Sequence, residues 1–218
     1  NQHKAPIVAT ATRTAQTTDG SLAAVTVITR EDIERQQARS MQDLLRGVTG
    51  ISIANSGGPG KQTSLFMRGT ASDQVLVLID GVRSGLVSSG GAAYENIPIE
   101  QIERVEIVRG PRSSLYGSEA IGGVIQIFTR KGSKAQGFRP SFSFGGGSYG
   151  SVNGSVGLSG RNKNGWLNMS ISGQGTRGIN ACSGSSSAGC FATRADPDRD
   201  GYENVAGSIR AGYRFDNG

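Results

Sequence analysis

The segment Asp196-Pro197-Asp198-Arg199-Asp200-Gly201 sets three carboxylates at alternate positions and ends in glycine. A hard divalent cation such as calcium takes several oxygens from one tight turn, so Asp196, Asp198 and Asp200 are candidate metal ligands. The loop is not an EF-hand, because the position of the bidentate glutamate is Gly207 and no helical pattern flanks it. The remaining ligands would come from elsewhere in the fold, and a solvated acidic loop tip satisfies the same spacing. His3 is the one histidine, which removes Ser-His-Asp, Cys-His and histidine-metal chemistry. Gly60-Lys61 is followed by Gln62, so no phosphate loop forms there, and the two G-x-G-x-x-G matches at Gly145 and Gly173 open no helix. No redox or nucleotide cofactor is expected. Asp80, Glu95, Glu103 and Glu106 are expected to be solvated charges at turns or on strand faces, not an acid-base pair. Cys182 and Cys190 share a Ser/Gly loop, which suits one disulfide formed outside a reducing cytosol, or else two thiols.

The elements that would carry these residues have two textures, with the change near Gly132. Thr29 is placed to cap a helix over 30–36, and Ser40 with Asp43 to cap one over 41–46. Strands are expected over 51–54, 65–68, 75–79, 105–108 and 124–129, with Asp80-Gly81 turning the third back on Val82 and Arg83. This is a small α+β domain. After Gly132 the period becomes two: Val152, Val156 and Leu158 alternate with Asn153, Ser155 and Ser159, and the pattern repeats over 164–174 and 202–215. A soluble sandwich would show such alternation. Gly and Ser with arginines on the polar side, and Tyr149, Trp166, Tyr213 and Phe215 near strand ends, favour a barrel with lipid outside and a polar interior.

Composition agrees with strands over helices. The chain holds 34 glycines, 35% hydrophobic and 18% charged residues. Its longest apolar run, Val75 to Ile79, is far short of the ~20 residues of a spanning helix. The net charge of +6 is spread without a basic run, so nucleic acid is not an expected partner. Residues 1–6 show no apolar leader, as expected of a mature N-terminus.

The run from Val105 to Ile127, with Val105-Glu106-Ile107-Val108-Arg109-Gly110-Pro111 and Leu115-Tyr116-Gly117 in it, resembles the late signature of the plug domain of TonB-dependent outer-membrane receptors. Asp43-Leu44-Leu45, Val48-Thr49-Gly50-Ile51, Met67-Arg68-Gly69 and Val77-Leu78-Ile79-Asp80-Gly81-Val82 match in order. The resemblance implies a TonB-coupling segment at 1–11, a plug at 12–132, and the first strands of a transmembrane β-barrel at 133–218 with a long extracellular loop near 175–201. A receptor barrel of 22 strands at ~10 residues each needs well over 200 residues, so the barrel is incomplete in this chain. In the signature, Gly117, Gly122 and Gly123 would let backbones pass closely, and Arg109 and Arg112 would reach carboxylates on a surrounding wall.

Within the family the similarity is to cobalamin transporters. It implies substrate contacts from Asn55, Ser56, Lys61, Gln62 and Thr63 in one loop and Ser88, Ser89, Gly90 and Gly91 in another, whose amides and hydroxyls suit a corrinoid rim. It adds weight to calcium at Asp196, Asp198 and Asp200. It makes Pro6, Ile7, Val8, Ala9, Thr10 and Ala11 the coupling box that pairs with TonB as an added strand. The expected setting is the outer membrane of a Gram-negative bacterium, with its lipid against the barrel and no enzymatic activity. Two other functions stay open: a ferric siderophore or haem receptor of the same architecture, and a passive binding or adhesion module.

Overall fold

The computed structural model describes residues 7–8, 16–17, 24–55, 60–61, 63–84, 97–130, 136–179, 199 and 201–215. The chain divides into two compact units, one of residues 1–54 with 63–129 and the other of residues 55–62 with 130–218.

The first unit opens with β1 (Ile7–Val8) and β2 (Gln16–Thr17), paired antiparallel. Next, β3 (Ala24–Thr29), a run rich in β-branched residues, feeds α1 (Arg30–Gln36) through Thr29. The Thr29 hydroxyl accepts from the Asp32 amide, and the Asp32 carboxylate accepts from the Thr29 amide at 2.9 Å. This reciprocal cap satisfies two amides that the first turn would otherwise leave unpaired. Ser40 Oγ accepts from the Asp43 amide at 3.1 Å to start α2 (Met41–Arg46). Both helices fall where the sequence places them.

After α2, β4 (Ile51–Asn55) pairs with β5 (Thr63–Met67), while β6 (Val75–Ile79) turns at Asp80-Gly81 into β7 (Val82–Arg83). Asp80 and Gly81 both have positive φ, 50° and 87°, as a two-residue hairpin of this hand requires. The unit closes with β8 (Ile102–Arg109), the short helix α3 (Ser113–Tyr116) and β9 (Gly123–Thr129). Their sheet runs β3-β8-β9-β6-β7, antiparallel except where β6 lies parallel to β9.

One face of this sheet, with Ile28, Val75, Val77, Val105, Ile107, Ile125 and Ile127, packs against Ile33, Met41, Leu44, Leu45, Leu65 and Met67. On the other face Leu76, Leu78, Ala120 and Val124 pack with Tyr116. Each fully buried aliphatic side chain contributes about 1.5–3 kcal/mol, so the central strands carry the unit. At the start of β9 a Cβ on Gly123 would stand 2.4 Å from both Val108 O and Met67 Sδ, so that close approach admits only glycine.

Three expectations are corrected here. Arg68 is not a strand residue: β5 stops at Met67 and Arg68 has φ 52°, in the left-handed region that leads into Gly69. Glu106 is not solvated: it is 0% exposed in the middle of β8, with Arg104 Nη2 2.9 Å from its Oε1 and the Arg104 guanidinium 4.1 Å over the Phe128 ring. The register explains the pairing, since Arg104 lies opposite Phe128 and Glu106 opposite Gln126 across β8 and β9. Nor is Asp80 a free turn charge, because its carboxylate accepts from the Thr129 amide at 3.1 Å and the Thr129 hydroxyl at 2.6 Å.

In the second unit β10 (Gly137–Gly147), β11 (Ser151–Arg161), β12 (Gly165–Thr176) and β13 (Tyr202–Tyr213) form a continuous antiparallel meander. Cross-strand rows such as Pro140, Leu158, Met169 and Ile209 line one face. Rows such as Ser141, Gly157, Ser170 and Ser208 line the other, where the Ser170 and Ser208 hydroxyls are 2.8 Å apart. The apolar side is bare within this chain, with Phe142 88% and Val205 77% exposed. Strands of 11 or 12 residues meet the ~9–11 that a tilted transmembrane strand needs. The glycine-rich matches at 145–150 and 173–178 lie in strands and turns, without the helix that a dinucleotide site requires.

Candidate ligand loop and coupling segment

The β4–β5 connection is built from a strand end on each side. Asn55, the last residue of β4, donates its Nδ2 to Lys61 O at 3.3 Å, which closes the loop across six residues. Gly60 has φ 75°, and the Tyr202 ring at the start of β13 lies directly over it. Thr63 begins β5 and is 8% exposed, with its hydroxyl accepting from Gln42 Nε2 on α2. That bond ties the start of β5 to α2. Asn55 and Lys61 are thus brought together, while Thr63 is bonded within the first unit.

Ser56, Gln62, Ser88, Ser89, Gly90 and Gly91 lie outside the described residues, as do Cys182, Cys190, Asp196, Asp198 and Asp200. Among the described residues no three His, Cys, Asp or Glu side chains gather as a metal site. In the acidic stretch, the Arg199 carbonyl accepts from the Gly201 amide at 2.8 Å.

Of the coupling segment, Pro6 and Ala9, Thr10 and Ala11 are likewise outside the described residues. Ile7 and Val8 pair with Thr17 and Gln16 in antiparallel register. Their backbone is therefore already extended, the conformation an added strand needs.

The signature arginines take positions that the sequence did not indicate. Arg109 Nε donates to Thr49 O at 2.8 Å and Nη2 to Thr26 Oγ1 at 2.7 Å, so its recorded bonds run to its own unit. A long guanidinium at a strand end can reach back over β3, and the neutral oxygens there accept it. Burial, and then the neighbouring Arg68 charge, lower the Arg109 pKa below the usual arginine value. Arg112 Nη1 turns onto Pro111 O at 3.0 Å. Arg83 bonds Glu119 at 2.9 Å and Tyr116 O at 3.3 Å, which fastens the 113–119 stretch to the β6–β7 hairpin. Gly117 serves through its φ of 93° more than through close approach, since a Cβ there would meet nothing nearer than 3.7 Å.

A mixed sheet capped by two short helices, followed by a meander with one apolar and one serine-lined face, defines a plug domain joined to barrel strands. Residues 17–124 match the family model of the TonB-dependent Receptor Plug Domain. The chain belongs to the TonB-dependent receptors, proteins of the Gram-negative outer membrane. It is 49% identical over 144 residues to the vitamin B12 transporter BtuB of Vibrio cholerae serotype O1, a match that spans 66% of this chain and 24% of that one. A ferric enterobactin receptor (PfeA) double mutant from Pseudomonas aeruginosa superposes with a TM-score of 0.68 at 26% identity, covering 95% of this chain and 32% of its own. The ferripyoverdine receptor of the same organism's outer membrane shares the fold at 20% identity, with a TM-score of 0.68 over 80% of this chain and 23% of its own. The chain thus spans about a quarter of the length of the vitamin B12 transporters it matches.

Proposed function

We propose that the receptor to which this chain belongs takes up cobalamin across the outer membrane, driven by TonB, and that it performs no bond chemistry. The observation that carries the reading is the 49% identity to a vitamin B12 transporter, set against 20–26% to the solved siderophore receptors. The ligand loop supports it. Asn55 and Lys61 are an amide and an ammonium at the two ends of the β4–β5 connection, and the expected companions Ser56, Gln62, Ser88, Ser89, Gly90 and Gly91 are hydroxyls, an amide and glycines by type. A neutral, amide-rimmed corrinoid is matched by such donors and acceptors, whereas a ferric chelate would favour more arginine and aromatic side chains.

The route begins with substrate on the plug loops. Ile7 and Val8 then exchange their pairing with Gln16 and Thr17 for a strand of TonB, and work done through that strand opens the plug. Calcium on Asp196, Asp198 and Asp200 suits the donor set, three hard oxygens on one turn, and would supply charge neutralisation that orders the loop ahead of Tyr202. The bare face of β10–β13 is the lipid face, because a row of phenylalanines at that exposure has no other solvent that tolerates it. Cys182 and Cys190 form a disulfide in the outward loop.

The test is equilibrium binding of cyanocobalamin against a ferric siderophore by the full receptor, with and without deletion of Ser88 to Gly91. Cobalamin binding that weakens on deletion is expected. Preference for the siderophore would overturn the reading in favour of a siderophore receptor, to which the solved structural neighbours belong.

A further inference from the structure

We infer that Tyr202 is a positioning residue for the Gly60-Lys61 end of the β4–β5 connection: its ring seats on Gly60 and fixes that backbone to the first residue of β13. A Cβ at Gly60 would fall 2.0 Å from both Tyr202 Cδ2 and Cε2 and 2.9 Å from Cγ, so the backbone of Gly60 sits against the face of the ring with no room for a side chain. The φ of 75° at Gly60 imposes glycine a second time and independently. Lys61, the next residue, is tied in turn to the end of β4, because Asn55 Nδ2 donates to Lys61 O.

The ring itself stands on a fixed base. Tyr202 pairs with Thr176 at the end of the β12–β13 ladder, and the preceding Gly201 is pressed close to β12, where a Cβ would lie 3.3 Å from Thr176 O. The turn at Arg199-Gly201 leads straight into this base. Ligand binding to a loop already held in place avoids the entropic cost of ordering it at the moment of binding. The consequence for affinity rests on the cobalamin reading above. The contact between Tyr202 and Gly60 does not.

The experiment uses the full-length receptor in outer-membrane vesicles. A spin label on Lys61→Cys, in a Cys182→Ser, Cys190→Ser background, reports loop motion with no ligand present. The label is expected to be immobilised with Tyr202 or Tyr202→Phe, and mobile with Tyr202→Ala or Gly60→Ala. Cyanocobalamin binding should weaken about tenfold in Tyr202→Ala and Gly60→Ala, stay within about twofold in Tyr202→Phe, and weaken no further in the double variant, since both changes break one contact. Heat-modifiable migration verifies that each variant is inserted. A label equally immobile with and without the Tyr202 ring overturns the inference. Failure of the native receptor to bind cyanocobalamin would sink the cobalamin reading alone, because the label still decides whether Tyr202 holds the loop.

Discussion

Replacing Asp80 by alanine should loosen the end of β9, and the structure gives the size of the effect. Two hydrogen bonds reach the Asp80 carboxylate, from the Thr129 amide at 3.1 Å and the Thr129 hydroxyl at 2.6 Å. Bonds to a charged group contribute about 1.5–3 kcal/mol each, and the site is half-buried, so the lower figure applies to both. Asp80 also has φ 50°, a conformation that aspartate tolerates better than alanine. Water recovers part of the loss at the freed amide, leaving about 3 kcal/mol, or roughly a hundredfold rise in local opening. Hydrogen exchange at the 123–129 amides of the full receptor measures it. Asp80→Asn keeps the backbone preference and one acceptor, so it should lose about half as much. Thr129→Val should lose about 1–1.5 kcal/mol, and much less when placed on Asp80→Ala, because its hydroxyl no longer has its partner. Opening in Asp80→Ala within about threefold of the native rate would refute the reasoning.

Further predictions concern coupling, capping and the outward loop. Ile7→Pro should abolish uptake while leaving equilibrium cobalamin binding intact, because proline removes a backbone donor from the pairing strand; energised uptake and binding assays on the same vesicles read both. Thr29→Ala should raise opening of the α1 amides by about 1 kcal/mol. The Asp32 carboxyl is held below its usual pKa, first by the Thr29 hydroxyl and then by the Thr29 amide. Its contribution is thus present above the unfolded value of about 3.9 and is lost as pH falls through the lower folded value, so the difference between the native and Thr29→Ala exchange rates should narrow in acid to what the bond from the Asp32 amide to the Thr29 hydroxyl contributes. Asp198→Ala with Asp200→Ala should make cobalamin affinity low and indifferent to calcium, whereas a variant that keeps the native calcium response would return the loop to a solvated acidic tip. Alkylation of unreduced receptor should leave Cys182 and Cys190 unmodified.

Much of the plug was readable because its signals are local. Thr29 and Ser40 cap the helices that follow, and the run Val75 to Ile79 is apolar on both faces, as a central strand must be. Three strands of the second unit, β11 to β13, were readable for the same reason, since period two is visible in the sequence itself. What escaped depends on residues far apart in the chain. Glu106 reads as a solvated strand charge until β9 brings Phe128 and Gln126 alongside β8. Asp80 reads as an ordinary turn residue until Thr129 arrives 49 positions later. β10 is not among the expected strands because Pro140 and Gly145 to Gly147 are strand breakers; its alternating Phe138, Phe142 and Phe144 were the signal that could have found it. In the candidate ligand loop, the approach of Tyr202, some 140 positions away, to Gly60 had no signal in the sequence.

The position of β3 in its sheet has a mechanical consequence. It is an outer strand, bonded to β8 on one side alone, and of the strands in that sheet it comes first in sequence. Tension entering at Ile7 reaches β3 before any other strand of that sheet. The central trio β8, β9 and β6 holds the deepest side chains, with Val105, Ile107, Ile125 and Ile127 each at 1% exposure or less. A load transmitted from the N-terminus thus meets an outer seam of the sheet first. If the N-terminal segment is pulled as proposed, the outer strand would part from β8 first, and the deeply buried middle of the sheet would remain as the template on which it closes again.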